Sequence, residues 1–314
     1  LRRSAAILQA RLAAEPQGAF EGDLTHLAAR FSAEYGPDHV WSASRLEAYG
    51  LCPHHFWLSQ ALALTPRQPP EEGFDVFILG SMYHEILEQV YRQAGDQTGL
   101  DHLLALLPAI AQKVFDQAPA VYGFRPTALW GRQRPELEQI LANTLTALAE
   151  ATADSAPLAQ EQRFGLDDQP PLLARANGDE FRLRGFIDRI DRTRSGGLRI
   201  IDYKSGATPI AARDLVEGRR LQIALYALAA RDALALGEVA DGFYWHIGSA
   251  KASSLKLDKF PGGVAAALQT ALTHAFQHIA GVRAGRFPPT PPPAGCPGHC
   301  PGVNFCWRYQ PKGW

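Results

Sequence analysis

Apolar and polar positions divide the chain into two unlike halves. Over residues 1–35, 41–64, 80–95, 100–117 and 135–151, Leu, Ala, Ile and Phe recur at three- and four-residue spacing, the period of an amphipathic helix. In "WSASRLEAYGLCPHHFWLSQALAL" (41–64), Ser42 or Ser44 is placed to cap a short helix. Cys52-Pro53 then makes a turn, and a second helix follows. "PRQPPEEG" (66–73) reads as a linker, Gly80 opens the helical run "SMYHEILEQVYRQAG", and Gly95 closes it.

Near residue 158 the period shortens. "LAQEQRFGL", "EFRLRGFIDRIDRT" and "LRIIDYKSG" read as strands, and "RSGG" supplies the turn glycines of a hairpin between the last two. "RRLQIALYALAARDALALG" (219–237) predicts a helix ended by Gly237. "DGFYWHIG" and "SSLKLDKF" predict two more strands, and "GGVAAALQTALTHAFQHIAGVRAG" a long helix. An irregular tail with a proline-rich connector at 288–293 closes the chain. This order predicts an α/β protein, a mixed sheet flanked by helices and preceded by a helical segment.

Composition narrows the class. A chain of 314 residues that is 46% hydrophobic and 20% charged can bury a substantial core. No apolar run approaches a membrane span, and "LRRSAAILQARLAAEPQ" lacks the apolar region of a signal peptide, so a cytoplasmic protein without membrane partners is expected. The formal net charge of -1 requires any nucleic-acid contact to rest on local basic patches. The chain begins at Leu1 and its one methionine, Met82, is internal, which reads as a piece of a longer protein. Four cysteines, Cys52, Cys296, Cys300 and Cys306, are better read as a ligand set than as disulfides in such a chain.

The candidate chemistry lies in "GFIDRIDRTRSGGLRIIDYKSG" (185–206). On a strand, Asp202 and Lys204 share a face with Leu198 and Ile200, while Ile201 and Tyr203 face the other way. A carboxylate beside that apolar run is costly unless a cation offsets it. Asp188 and Asp202 on paired strands would suit Mg²⁺. An Asp-x-Lys tripeptide alone is far more often an ordinary surface ion pair.

"GFIDRID", a dozen residues, "IIDYKSG" and then "LQIALYAL" together resemble the PD-(D/E)XK nuclease superfamily, in its RecB/AddB-like branch. The resemblance implies a restriction-endonuclease-like core and metal-dependent hydrolysis of DNA. Asp188, Asp202 and Lys204 are then catalytic, and Gln222 and Tyr226, one turn apart on a helix, hold the lysine or the DNA strand. "GSMYHEILE" matches the family's upstream histidine segment, so His84 becomes a ligand of Mg²⁺ or Mn²⁺ with Asp188, Asp202 and the Tyr203 carbonyl. Glu88, one turn on, either orients His84 or is a solvated charge, and Glu161 in "QEQRF" is a supporting acid.

"SASRLEAYGLCP" and "CPGHCPGVNFC" match the AddB-type cysteine segments, although Cys296 and Cys300 are separated by three residues where the family commonly has two. Four thiolates from both chain ends suit a [4Fe–4S] cluster, and zinc is the chemical rival; the resemblance favours the cluster, as a structural staple. His54, His55 and His299 lie near these cysteines in sequence.

The organisation expected is a helical region over 1–157 with Cys52 and His84, a nuclease core over 158–287 and an iron–sulfur tail over 288–314. The expected activity is that of a Mg²⁺-dependent deoxyribonuclease, an exonuclease on single-stranded DNA ends, serving with a helicase domain or subunit in bacterial double-strand break repair. No Walker A pattern occurs, so any ATP-driven motor lies elsewhere. The alternatives are a stand-alone Fe–S exonuclease of the CRISPR-associated type and an inactive DNA-binding module. Arg182, Arg184, Arg189, Arg192, Arg194, Arg199, Arg213, Arg219 and Arg220 are candidate phosphate contacts or solvated edge residues. Trp307, Tyr309 and Trp314 either stack on bases or, as favoured, pack the cysteine loop.

Overall fold

A computed structural model describes residues 2–16, 18–65 and 76–311. The linker expected at 66–73 and Trp314 lie outside them. The elements run α1 (Arg2–Leu12), α2 (Ala28–Glu34), β1 (Val40–Ser42), α3 (Ala43–Leu51), α4 (Pro53–Phe56), α5 (Val76–Ala94), α6 (Leu100–Tyr122), α7 (Ala128–Ala151), β2 (Ser155–Phe164), β3 (Leu172–Ala176) and β4 (Asp179–Thr193). They continue through β5 (Leu198–Lys204), α8 (Ala212–Val216), α9 (Gln222–Leu228), β6 (Val239–His246), β7 (Lys251–Lys256) and α10 (Gly263–Arg283).

The seven strands form one mixed sheet in the order β1-β4-β5-β6-β7, with β2 and β3 also paired to β4. The 15 residues of β4 let it serve several partners. Its first part pairs with β1 in parallel and with β3 antiparallel, and its second part pairs antiparallel with β2 and β5. The parallel step from β5 to β6 is made through α8 and α9.

Alternation along β5 divides the core as expected. Leu198 and Ile200 pack into one cluster with α3, α9 and α10, whereas Ile201 and Tyr203 pack into a second with α5, α6 and α7. The sheet is therefore buried on both faces, and polar side chains on its central strands lie deep in the protein.

Strand β3 was not expected, and three further local features differ from the sequence expectation. Gly80 lies inside α5 rather than at its start. A side chain there would come within 3.0 Å of the Ser205 hydroxyl, so the glycine lets the helix pass close to the end of β5. The helix expected from Arg219 begins at Gln222, because the N–H groups of Arg219 and Arg220 turn back to the Asp214 carbonyl. It ends in one wide turn over 229–233, short of Gly237. The N-terminal half, read as helical, also contributes strand β1 to the sheet. Ser42 is the residue that caps α3, accepting the Arg45 N–H at 3.4 Å.

Candidate active site

The site forms where β4 and β5 part. Their pairing ends at Arg189↔Ile201, and one step further Asp188 would stand opposite Asp202. Instead the Asp188 side chain enters the gap, its Oδ2 accepting the Tyr203 N–H at 2.7 Å. Both carboxylates are buried, Asp202 to 1% exposure. Burial together with the charge of Asp202 pushes the Asp188 pKa far above the carboxylate range, to about 8.

Helix α5 brings His84 to the same place. Its Nδ1 lies 3.5 Å from Asp188 Oδ2 and 3.6 Å from Glu161 Oε1, and its Nε2 lies 3.1 Å from the Tyr203 carbonyl. Burial pulls the imidazolium pKa down, but Asp188, Glu161 and Asp202 outweigh it and hold it at about 9. One ligand atom each from His84, Glu161 and Asp188 lies within 4.8 Å of the others, a spacing that can hold a metal ion. Two of the three are carboxylates, a donor set suited to a hard divalent cation. A cleft of about 480 Å³ opens onto His84 and Glu161, walled by Phe77, Gly80 and Ser205.

Beside this group runs a second chain of contacts. Lys204 Nζ lies 2.7 Å from Asp202 Oδ2 and donates to Gln222 Oε1 at 2.8 Å. Burial works against the ammonium, but Asp202, Glu47 and Asp188 raise its pKa, so it stays charged. Tyr226 packs edge-on against Phe164 with ring centroids 5.5 Å apart, and its hydroxyl reaches the Gly185 backbone so closely that a side chain there would lie 2.9 Å away. His84, Asp188, Asp202, Lys204, Gln222 and Tyr226 thus converge, and Glu161 joins the inner group. Glu88 does not orient the imidazole: it pairs with Arg92 at 2.8 Å, one turn along.

The arginines fare differently. Arg189 is buried in a bidentate pair with Asp191, and Arg199 binds Asp154. Arg213, Arg219 and Arg220 pair with Glu217, Asp214 and Glu47 respectively. Arg192 and Arg194 donate to main-chain carbonyls. Most of the expected phosphate contacts are thereby engaged within the protein. Sequence reasoning missed Glu47 and the Arg189–Asp191–Tyr91 cluster. Arg189 and Asp191, alternate residues of the "DRID" segment on one strand face, were the available signal for the latter.

The cysteines gather at the far end of α3. Cys52 ends α3 and begins α4, and Cys296, Cys300 and Cys306 come from the tail, all four as free thiols. A side chain on Gly302 would lie 3.1 Å from the Cys306 Cβ and 3.6 Å from the Cys300 sulfur, so this glycine keeps the corner open. The Gln310 N–H donates to the Cys296 sulfur at 3.4 Å, and burial pushes the thiols of Cys52, Cys300 and Cys306 up. Four sulfurs gathered in this way are a donor set for a metal centre. His54 Nδ1 is engaged with the Phe287 carbonyl at 3.2 Å. Trp307 Nε1 donates to Glu21 at 2.7 Å, and Arg308 pairs with the same carboxylate, so Trp307 packs the tail onto the N-terminal segment.

The order of these parts along the chain agrees with a known family profile, that of the PD-(D/E)XK nuclease superfamily, which matches residues 40–307. The chain belongs to the PD-(D/E)XK nuclease superfamily. Its seven-stranded mixed sheet between helical layers is consistent with the restriction-endonuclease-like fold. This PD-(D/E)XK chain is 35% identical over 217 residues to an ATP-dependent helicase/deoxyribonuclease subunit of Moorella thermoacetica, a match covering 64% of the chain and 18% of that protein. The helicase/deoxyribonuclease subunits of the same name from Carboxydothermus hydrogenoformans and Caldanaerobacter subterraneus are 32% and 27% identical, over 63% and 61% of the chain and 19% and 17% of their own lengths. The chain therefore spans less than a fifth of the length of these curated relatives.

Proposed function

We propose that this domain is a divalent-metal-dependent DNA nuclease, the nuclease part of a helicase–nuclease that processes double-strand breaks. One observation carries the reading: His84, Glu161 and Asp188 converge from a helix and two strands beside an Asp202–Lys204–Gln222 chain. Two buried acids, a charged lysine and an imidazole in one cleft make a poor core and a good hydrolytic site.

His84, Glu161, Asp188 and Asp202 would hold Mg²⁺ or Mn²⁺, which when bound supplies Lewis acidity to the scissile phosphate and lowers the pKa of water; the Tyr203 carbonyl, expected as a further ligand, is engaged by His84 Nε2 instead. The protein's own groups do the positioning. The Tyr203 carbonyl accepts from His84 Nε2 and fixes the ring so that Nδ1 faces the carboxylates. Lys204, held between Asp202 and Gln222, presents a positive charge to the charge that develops on phosphorus. Tyr226 and Gln222 steady the lysine from α9.

A single strand suits the surface beside the site. Phe186, two residues before Asp188, is 43% exposed, and the Arg163 guanidinium lies 5.6 Å from its ring centroid. An aromatic ring with a guanidinium stacks unpaired bases of any sequence. The relatives are named as helicase/deoxyribonuclease subunits, which favours a helicase partner over a free-standing exonuclease.

The cysteine corner would hold a [4Fe–4S] cluster. Four thiolates drawn from both ends of the chain suit such a cluster, and zinc on the same four sulfurs is the rival centre. The decisive experiment is digestion of 5′- and 3′-labelled single strands with Mg²⁺ and with EDTA. Cutting with Mg²⁺ alone, abolished in Asp202→Ala, is expected. Undiminished cutting by Asp202→Ala overturns the site.

A further inference from the structure

Helix α3 carries a buried carboxylate that the metal chemistry leaves unused. Glu47 Oε1 accepts the N–H groups of both Leu221 and Gln222, each at 2.8 Å, while Oε2 lies 3.2 Å from Arg220 Nη1. These residues open α9, whose own N-cap, Leu221, offers no side-chain hydrogen bond. A helix start leaves N–H groups without partners, and leucine cannot satisfy them. Glu47 does so from another element. Its reach depends on Gly50, one turn along α3, where any side chain would collide with the Gly218 carbonyl.

The first residue of α9 is Gln222, the residue that holds Lys204 at 2.8 Å. The backbone that Glu47 fixes is therefore the backbone from which the lysine is aimed. We propose that Glu47 is a positioning residue for the nuclease reaction: it sets the start of α9 so that Gln222 holds Lys204 in place. The inference rests on the nuclease reading. It also gives α3 a double task, because the same helix ends at Cys52 and so joins the cysteine corner to the catalytic lysine.

A purely electrostatic partner of Arg220 needs only a negative charge. A positioning residue needs its acceptor oxygen at the right reach. Glu47→Gln keeps the oxygen and loses the charge, whereas Glu47→Asp keeps the charge and shortens the reach. We expect Glu47→Asp to lower kcat about 10–100-fold with little change in KM for single-stranded DNA, by the usual cost of small misplacement, and Glu47→Gln, which keeps the acceptor oxygen, to lower it clearly less than Glu47→Asp does. Combining Glu47→Asp with Gln222→Ala should add nothing to Gln222→Ala alone. In the metal-free protein, an amine-reactive reagent should label Lys204 faster in Glu47→Asp than in Glu47→Gln or the parent. The reverse rank order, additive losses in the double variant, or equal labelling in all three overturns the proposal. Should the parent itself not cut DNA, the nuclease reading fails, and the labelling still decides whether Glu47 holds Lys204.

Discussion

Glu161 stands directly across the β2–β4 ladder from Asp188: the flanking pairs are Gln160↔Arg189 and Gln162↔Ile187. Two carboxyl groups so placed resist ionising together, and Glu161 adds a left-handed backbone, φ 45°, which is costly for a residue with a side chain. Two unfavourable features at one point of the ladder mark a place selected for chemistry rather than for stability.

The first prediction follows from that pair. Glu161→Gln should lower Mg²⁺ affinity at least 10–100-fold, the range that even indirect partners of a metal command. It should also lower the pKa of His84 in the metal-free protein, because Glu161 is one of the groups that hold the imidazolium. Isothermal titration reads the first effect, and an NMR titration of the His84 ring in EDTA reads the second.

The second concerns pH. Asp188, raised to about 8, and His84, raised to about 9, each bind more protons in the folded metal-free protein than unfolded. Their stabilising contribution is present at low pH and is lost as pH rises through those values. The metal-free protein should therefore melt at lower temperature at pH 9 than at pH 6. Metal affinity should run the other way, because both groups must release protons to become ligands. Asp188→Asn should flatten the trend in the melts.

The third concerns the anchor of α5. The buried Arg189 pairs bidentately with Asp191 at 2.6 and 2.9 Å, and its guanidinium lies 4.6 Å from the ring centroid of Tyr91. Tyr91 is two helical turns after His84, so this cluster ties the histidine's helix to the strand that carries Asp188. Asp191→Ala leaves the guanidinium buried without a counter-charge and should cost about 3–5 kcal/mol, measured by urea unfolding. Tyr91→Phe, a milder change, should weaken metal binding more than it lowers stability.

The fourth concerns the cysteine corner. The protein should be brown, with an absorption band at about 400 nm, and Cys306→Ser should bleach it. A centre that joins Cys52 to the tail closes a loop that contains the whole site, worth about 4–5 kcal/mol as a cross-link of that span. Bleaching should lower the melting temperature by roughly 10 °C. Trypsin should then reach the tail first, where Trp307 and Arg308 hold Glu21. A colourless protein with stoichiometric zinc would sink the iron assignment.

Much of the site was legible because strand period and local motif fix what lies near what. The order Asp188, hairpin, Asp202, Lys204 dictates two neighbouring strands, and Gln222 and Tyr226 must share a helix face. His84 could be named only through the family resemblance, since 104 residues separate it from Asp188 and no local pattern spans that distance.

Alternation along β5 by itself determined that Leu198 and Ile200 share one face of the sheet and Ile201 and Tyr203 the other, because successive side chains on a strand must diverge. Three matters were left to the tertiary structure: that Glu161 is an inner member of the site, that Gly80 is a point of close approach, and that Glu47 serves a helix 175 residues away. Each depends on which backbone passes which at close range, and that is set by the joint packing of both cores rather than by any run of residues.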